Sequence, residues 1–306
     1  MTPSTTLEVR DIRKVYGDFV AVDGLSLSVP PGTIFGLLGP NGAGKTTTIR
    51  MIMDIIAPDS GEVLFKGRHR SARDLHRIGY LPEERGLYRK MTPVGQLVFL
   101  AELHGMSRRD ARPRAEEWIA RVGLADWAHK KLEELSKGMQ QKIQLIGTIL
   151  HDPDLVILDE PFSGLDPINQ ELFKETLAEF RADGKTILFS THIMEQAEKL
   201  CDHLCLISRG KAVLNGSLRD IKEQFGGNHY KLAADVDRSA LEAVPGVLSV
   251  DGDEGRFLLT LEEGIDPASV LSTLVGAGLR VREFGSREPD LEEIFIKAVR
   301  QAEAAA

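Results

Sequence analysis

Cysteine is nearly absent from this chain: Cys201 and Cys205 are the only two in 306 residues. With His203 between them they could be read as a metal or redox pair, but zinc sites need four ligands and closer motif spacing. They read instead as small apolar residues in Cys-Asp-His-Leu-Cys-Leu-Ile, where a helix gives way to a strand. Long hydrophobic runs are also missing. No stretch approaches the roughly 18 apolar residues that span a bilayer. Met1 to Thr6 lacks the basic-then-apolar order of a signal peptide. The expectation is an intracellular chain whose membrane role, if any, comes through a partner. Positive charge is in deficit: 38 Lys and Arg stand against 46 Asp and Glu, a net charge of -8. That balance argues against nucleic acid as the main partner. One local exception, Arg68 to Arg77, is basic but lacks interleaved aromatics, and reads as a solvated helix face.

What is present is an ordinary globular composition, 42% hydrophobic, and a length suited to about two domains. The chain is organised around Ile34-Phe-Gly-Leu-Leu-Gly-Pro-Asn-Gly-Ala-Gly-Lys-Thr-Thr-Thr-Ile49. An apolar strand, Thr33 to Leu38, leads into a glycine-rich loop, and a helix starts near Lys45. The spacing Gly39-x-x-x-x-Gly44-Lys45-Thr46 is that of a phosphate-binding loop. Gly42 and Gly44 let the backbone curl so that successive N–H groups point at phosphate oxygens. The helix N-terminus adds its partial positive charge. Residues Gly39, Pro40, Asn41, Gly42, Ala43, Gly44, Lys45, Thr46 and Thr47 are thus the candidate nucleotide cradle. Lys45 reaches the β- and γ-phosphates and the Thr46 hydroxyl ligates Mg²⁺. A nucleoside triphosphate follows; what its hydrolysis drives does not.

Leu155 to Glu160 is a second signal. A continuous apolar run reads as a strand buried on both faces of a parallel sheet. It ends in Asp159-Glu160, where ligands of open α/β sheets bind. Asp159 can hold Mg²⁺ through water, and Glu160 can polarise a water for in-line attack.

The remaining patterning outlines the fold. Residues 7–29 alternate apolar and polar, as antiparallel strands with one wet face do. Tyr16 lies in the turn between them, where an aromatic either stacks on an adenine ring or packs in the ordinary way. A helix is expected over Thr46–Ile56, with Ile49, Ile52, Met53 and Ile56 on one side. Short strands follow at 62–65 and 78–81. Helices over 94–103, 108–122 and 136–150 form a helical insertion, with Ser136 as N-cap of the last. Strands and helices then alternate to residue 214, which indicates a doubly wound core sheet. Beyond Gly226-Gly227-Asn228 a βαββαβ pattern with a tail helix indicates a ferredoxin-like domain. That region carries no cluster of catalytic types, and reads as either a regulatory or docking module or a stabilising cap.

With these pieces in order, the chain resembles the nucleotide-binding subunit of an ATP-binding cassette (ABC) transporter. Leu135-Ser136-Lys137-Gly138-Met139-Gln140 is similar to the family signature Leu-Ser-Gly-Gly-Gln. Ser163-Gly164-Leu165-Asp166 resembles the D-loop, His192 falls at the switch histidine, and Tyr16 at the adenine-stacking position. The resemblance runs from Leu7 to about Gly226. It implies an α/β P-loop NTPase cassette over 1–226, with parallel core sheet, antiparallel β subdomain and helical subdomain (about 84–151). The small α+β ferredoxin-like accessory domain would occupy 227–306.

The resemblance also implies ATP and Mg²⁺ as cofactors, Glu160 as general base, and His192 on the γ-phosphate. Ser136 and Gly138 would bind the γ-phosphate held by a second, head-to-tail cassette, and Asp166 would couple the two sites. The implied partners are that cassette and a separate transmembrane permease, on the cytoplasmic face of the cell membrane, with no nucleic acid. Two departures stand out. Lys137 and Met139 replace Gly and Gln in the signature. Glu83 replaces the metal-ligating Gln, adding negative charge near the phosphates, which Arg85 could offset. The stretch Glu-Glu-Arg-Gly-Leu-Tyr and the C-terminal domain resemble sodium- and drug-efflux cassettes, so export is expected. A soluble ABC ATPase acting on DNA or ribosomes is the other reading. It would carry long coiled coils or two cassettes per chain, and here there are no sustained heptads, one phosphate loop and one signature. A GTP switch would need an Asn-Lys-x-Asp motif, which is missing.

Overall fold

The computed structural model describes residues 5–84, 86–262 and 264–304. Arg85, the expected counter-charge to Glu83, lies outside them. Two compact units result: the chain up to Leu218 together with the chain from Ala298 on, and Arg219–Lys297.

In the first unit, β1 (Leu7–Tyr16) and β2 (Phe19–Val29) pair antiparallel, from Leu7 opposite Val29 to Tyr16 opposite Phe19. Their alternation buries Leu7, Val9 and Ile12 on one face, while Arg10 and Asp11 stay exposed. Then come β3 (Ile34–Leu38), α1 (Lys45–Ile52), β4 (Ser60–Phe65), β5 (Arg68–His69) and β6 (Ile78–Leu81). The helical insertion is α2 (Pro93–Leu103), α3 (Arg108–Arg121) and α4 (Lys137–Ile149). It has its own core, including Leu97, Ala101, Ala115, Ile119, Ile143 and Ile146. The unit continues with β7 (Leu155–Asp159), α5 (Pro167–Ala182), β8 (Thr186–Thr191), α6 (Met194–Leu200), β9 (His203–Ser208) and β10 (Lys211–Ser217).

Two sheets form. The antiparallel one has order β2-β1-β4-β5; the other has order β10-β9-β3-β8-β7-β6. In the second, β9, β3, β8, β7 and β6 are parallel and β10 adds an antiparallel edge. The apolar runs behave as such runs must: β3, β7 and β8 are buried along their whole length. One core joins both sheets through α1, with Ile12, Leu25, Phe65, Phe35, Met51 and Leu188 among its members. Each fully buried side chain of this size contributes about 1.5–3 kcal/mol.

The second unit holds most of α7 (Leu218–Phe225), then β11 (His229–Ala234), α8 (Arg238–Glu242), β12 (Val247–Asp253), β13 (Arg256–Leu261), α9 (Pro267–Gly276) and β14 (Val281–Ser286). α10 (Leu291–Ala304) begins in this unit. The sheet order β12-β13-β11-β14, antiparallel throughout, is that of the ferredoxin-like βαββαβ arrangement. The unit boundary falls before the 226/227 that Gly-Gly-Asn suggests, because nearly all of α7 groups with the second unit.

Two local expectations are corrected. The first helix stops at Ile52 rather than Ile56. Arg70 donates from Nη1 to the carbonyls of Met51 and Ile52, and pairs through Nη2 with Asp54 Oδ1 at 2.7 Å. Asp54 itself is left-handed (φ 62°), which ends the helix. Met53 and Ile56 still pack on the core, as partly buried side chains beyond the helix. The basic stretch 68–77 is likewise not one helix face. It is an edge strand followed by a 3₁₀ turn over Ala72–Arg77. Its arginines serve local acceptors: Arg68 grips Asp74, and Arg77 pairs with Asp154.

Candidate active site

The phosphate loop follows β3, whose parallel neighbours are β8 and β9. Two glycines are forced. A Cβ on Gly39 (φ 151°) would lie 2.2 Å from Ile207 O, and one on Gly44 (φ 107°) 2.5 Å from Ala21 O. Gly44 is also the N-cap of α1, with no side chain closing the helix end. The first-turn N–H groups therefore remain available to an anion. Lys45 opens α1 and is 6% exposed. Its Nζ donates to Gly39 O at 2.8 Å and Pro40 O at 3.3 Å, which ties the loop's two ends together.

The carboxylates come from the end of β7. Parallel pairing sets Asp159 beside Ser190 of β8. Asp159 is 1% exposed. Ser190 Oγ donates to Asp159 Oδ1 at 2.5 Å and accepts the Glu160 N–H at 2.9 Å. Glu160 is left-handed (φ 48°), a conformation costing a non-glycine residue about 1–3 kcal/mol unless its surroundings hold it. Glu160 Oε1 lies 3.2 Å from Lys45 Nζ, an ion pair without hydrogen-bond alignment. Oε2 lies 3.0 Å from His192 Nδ1. Lys45, Glu160 and His192, more than a hundred residues apart in sequence at their extremes, thus form one contact chain.

These groups open on a cavity of about 490 Å³, lined among others by Asn41, Gly42, Gly44, Lys45, Thr46 and Thr47 of the loop. Glu83, Glu160 and His192 also line it. Gly39, Pro40 and Ala43 shape the loop from behind, Ala43 being buried with its N–H on Pro40 O.

The residues present fit Mg²⁺. Asp159 Oδ2 is buried without a hydrogen-bond partner, and Thr46 and Glu83 stand on the cavity wall. No group of three or more His, Cys, Asp or Glu suited to a metal occurs among the described residues. Mg²⁺ is ordinarily held by one or two protein carboxylates together with water and phosphate oxygens.

Other expected residues stand apart from the cavity lining. Ser136 caps α4, its Oγ accepting the Met139 N–H at 3.3 Å, which leaves the hydroxyl proton free to donate. A Cβ on Gly138 would lie 2.8 Å from Asn169 Nδ2. Asp166 caps α5 and accepts from Asn169 N at 3.0 Å and Asn169 Nδ2 at 2.5 Å. That backbone N–H, then the side-chain amide, hold the Asp166 carboxyl below its ordinary range. Tyr16 is 49% exposed at the end of β1; its cross-strand neighbour Phe19, 63% exposed, is the aromatic on the cavity wall.

Phe19 and Ser190 were not among the sequence candidates, and Ser163, on the cavity wall, entered there only as the first residue of the D-loop stretch. A hydroxyl inside the buried run Thr186-Ile-Leu-Phe-Ser190 is the signal that points to Ser190. Cys201 and Cys205 are free and buried, and burial pushes the Cys205 thiol up to about 12.

Comparison with known proteins places the chain in a family. Residues 22–163 match the family described as ABC transporter, and residues 216–299 match the C-terminal domain of DrrA1-3-like ATP-binding proteins. The uncharacterized ABC transporter ATP-binding protein YhaQ of Bacillus subtilis is 46% identical over 96% of this chain and 98% of its own. The Nod factor export ATP-binding protein I of Cupriavidus metallidurans is 35% identical over 95% of this chain and 96% of its own. A solved ATP-binding subunit of an ABC transporter superposes with TM-score 0.67 at 32% identity, covering 72% of this chain and 93% of that one. The chain belongs to the ATP-binding subunits of ABC transporters, which hydrolyse ATP to power transport.

Proposed function

We propose that this ATPase drives export of an ion or drug-like cargo through a separate membrane-spanning permease, working as one of two facing cassettes at the inner face of the cell membrane. One observation carries the two-cassette reading. Lys45, Thr46, Glu160 and His192 line one cavity, while Ser136 and Gly138 do not line it. A signature that stands outside its own nucleotide cavity is suited to another copy's γ-phosphate, which its helix N-terminus and hydroxyl can bind. No helix among the described residues is long and apolar enough to cross a membrane, and in this reading a separate permease supplies the transport path. The direction is supported by the export relative and by the Glu83-Glu84-Arg85-Gly86-Leu87-Tyr88 stretch.

In this reading Glu160 takes the proton of the attacking water. His192, with Nδ1 on Glu160 Oε2, orients that carboxylate and turns Nε2 to the γ-phosphate. Lys45, now against Gly39 O, Pro40 O and Glu160, would share itself with the phosphates. Thr46, Asp159 and Glu83 would hold Mg²⁺, which supplies charge neutralisation on the β- and γ-oxygens. Tyr16 or Phe19 supplies the adenine platform, and Asp166 links the two sites.

The test is capture of tagged Glu160→Gln from gently solubilised cells with ATP present. Recovery of a polytopic membrane protein is the expected outcome. Ribosomal or DNA-bound proteins without a permease would overturn the transport reading.

A further inference from the structure

Two charges in this chain are badly placed if the monomer is considered alone. Lys137 is the first residue of α4, where a cation opposes the helix dipole. Glu83 puts a carboxylate on the wall of a cavity built for a polyanion, where one oxygen would suffice for the Mg²⁺ it would help to hold and the other has no partner among the described residues. Both are exposed, and among the described residues neither forms an ion pair or hydrogen bond. Neighbouring charges behave differently: Lys45, Glu160 and His192 hold one another. Departures from local electrostatic sense mark places where another demand prevails.

The two charges are opposite, and each sits on one half of the composite site. Lys137 lies between Ser136 and Gly138, the groups that would face a second copy's γ-phosphate. Glu83 lies on the wall where that γ-phosphate would sit. We propose that Lys137 of one cassette and Glu83 of a second copy of this chain form an interface ion pair across the shared nucleotide, so that the two departures offset each other in trans. The inference rests on the two-cassette reading above. It makes the pair a recognition device: each copy presents one cation and one anion, and head-to-tail symmetry brings both pairs together at once. A cassette with neutral residues at both positions would lose this match against the present chain.

Charge reversal tests it in the full-length Glu160→Gln background with Mg-ATP. The dimer dissociation constant is read by sedimentation for the parent, Lys137→Glu, Glu83→Lys and the double variant. Binding of a fluorescent ATP analogue to dilute monomer separates changes in nucleotide affinity. Each single reversal should weaken the dimer about tenfold or more, from two repulsive pairs, and the double variant should return within about threefold of the parent. Rising salt should weaken the parent and double variant more than the singles. Unaffected singles, or a double variant that is merely the sum of both losses, would refute the pair while a dimeric parent keeps the two-cassette reading intact. A parent that stays monomeric would overturn both. A loss confined to monomer nucleotide affinity would show Lys137 and Glu83 acting on phosphate alone, and would also refute the pair.

Discussion

Ser190 Oγ donates to Asp159 Oδ1 at 2.5 Å, with both residues buried, and the same oxygen receives the Glu160 N–H. One hydroxyl thus fixes both carboxylates at the end of β7. Replacing Ser190 by Ala leaves Asp159 with no partner on either oxygen and frees a strained Glu160 backbone. The expected stability loss is about 1–3 kcal/mol by denaturant titration. Steady-state kinetics should show kcat falling by about tenfold with KM within about threefold, as for a group that places the base rather than the nucleotide. An unchanged kcat would show that Glu160 is positioned without Ser190.

Lys45→Ala should abolish nucleotide binding. It removes the phosphate-facing cation, the tie from Nζ to Gly39 O and Pro40 O, and the charge beside Glu160 Oε1. Calorimetric titration with Mg-ATP is the check, and retained binding would refute the phosphate-loop assignment.

Two glycines of the loop should respond unequally to alanine. At Gly44 the new Cβ meets the Ala21 carbonyl at 2.5 Å, at φ 107°. At Gly42, φ 80°, nothing lies within 4 Å. Gly44→Ala should therefore destabilise by about 2 kcal/mol or more and Gly42→Ala by about 1 kcal/mol, read by thermal unfolding. Equal losses would show that the carbonyl contact relaxes freely.

His151 sets an acid limit. Its ring stacks on His104 at 3.7 Å between centroids, and neither of its nitrogens has a hydrogen-bond partner. Burial first, then His104, lowers its pKa to about 3; Arg114 acts the same way, against Asp152 and the Ile78 backbone, which lies close by without meeting hydrogen-bond geometry. His104 is lowered too, by burial and then His76. The unfolded chain takes up these protons near pH 6.5 while the folded chain refuses them. Stability from His151 is therefore complete above about pH 6.5 and is lost as pH falls from there toward 3. Denaturation midpoints measured across that window should fall in the parent and flatten in His151→Phe. A parent curve parallel to that of the variant would remove His151 as the cause.

Much of this protein was legible because its motifs make demands on adjacent residues. Gly44 must be glycine for backbone reasons, Ser136 and Asp166 are good N-caps, and the apolar runs at Ile34 and Leu155 suit strands buried on both faces. The period-two pattern of Leu7 to Val29 likewise announces a half-wet antiparallel pair. None of these needs knowledge of a distant partner. Other features were decided by tertiary structure. Arg70, just beyond β5, together with the left-handed Asp54 stops α1 at Ile52. The hairpin register puts Phe19, rather than Tyr16, on the cavity wall. The strand order β3-β8-β7 brings Lys45, Ser190, Glu160 and His192 to one edge, and the placement of α4 sets Ser136 and Gly138 apart from that cavity. The physical division is one of range: propensity, periodicity and glycine freedom act within a few residues, whereas strand order and carboxylate pairing depend on contacts that exist only once the chain has packed.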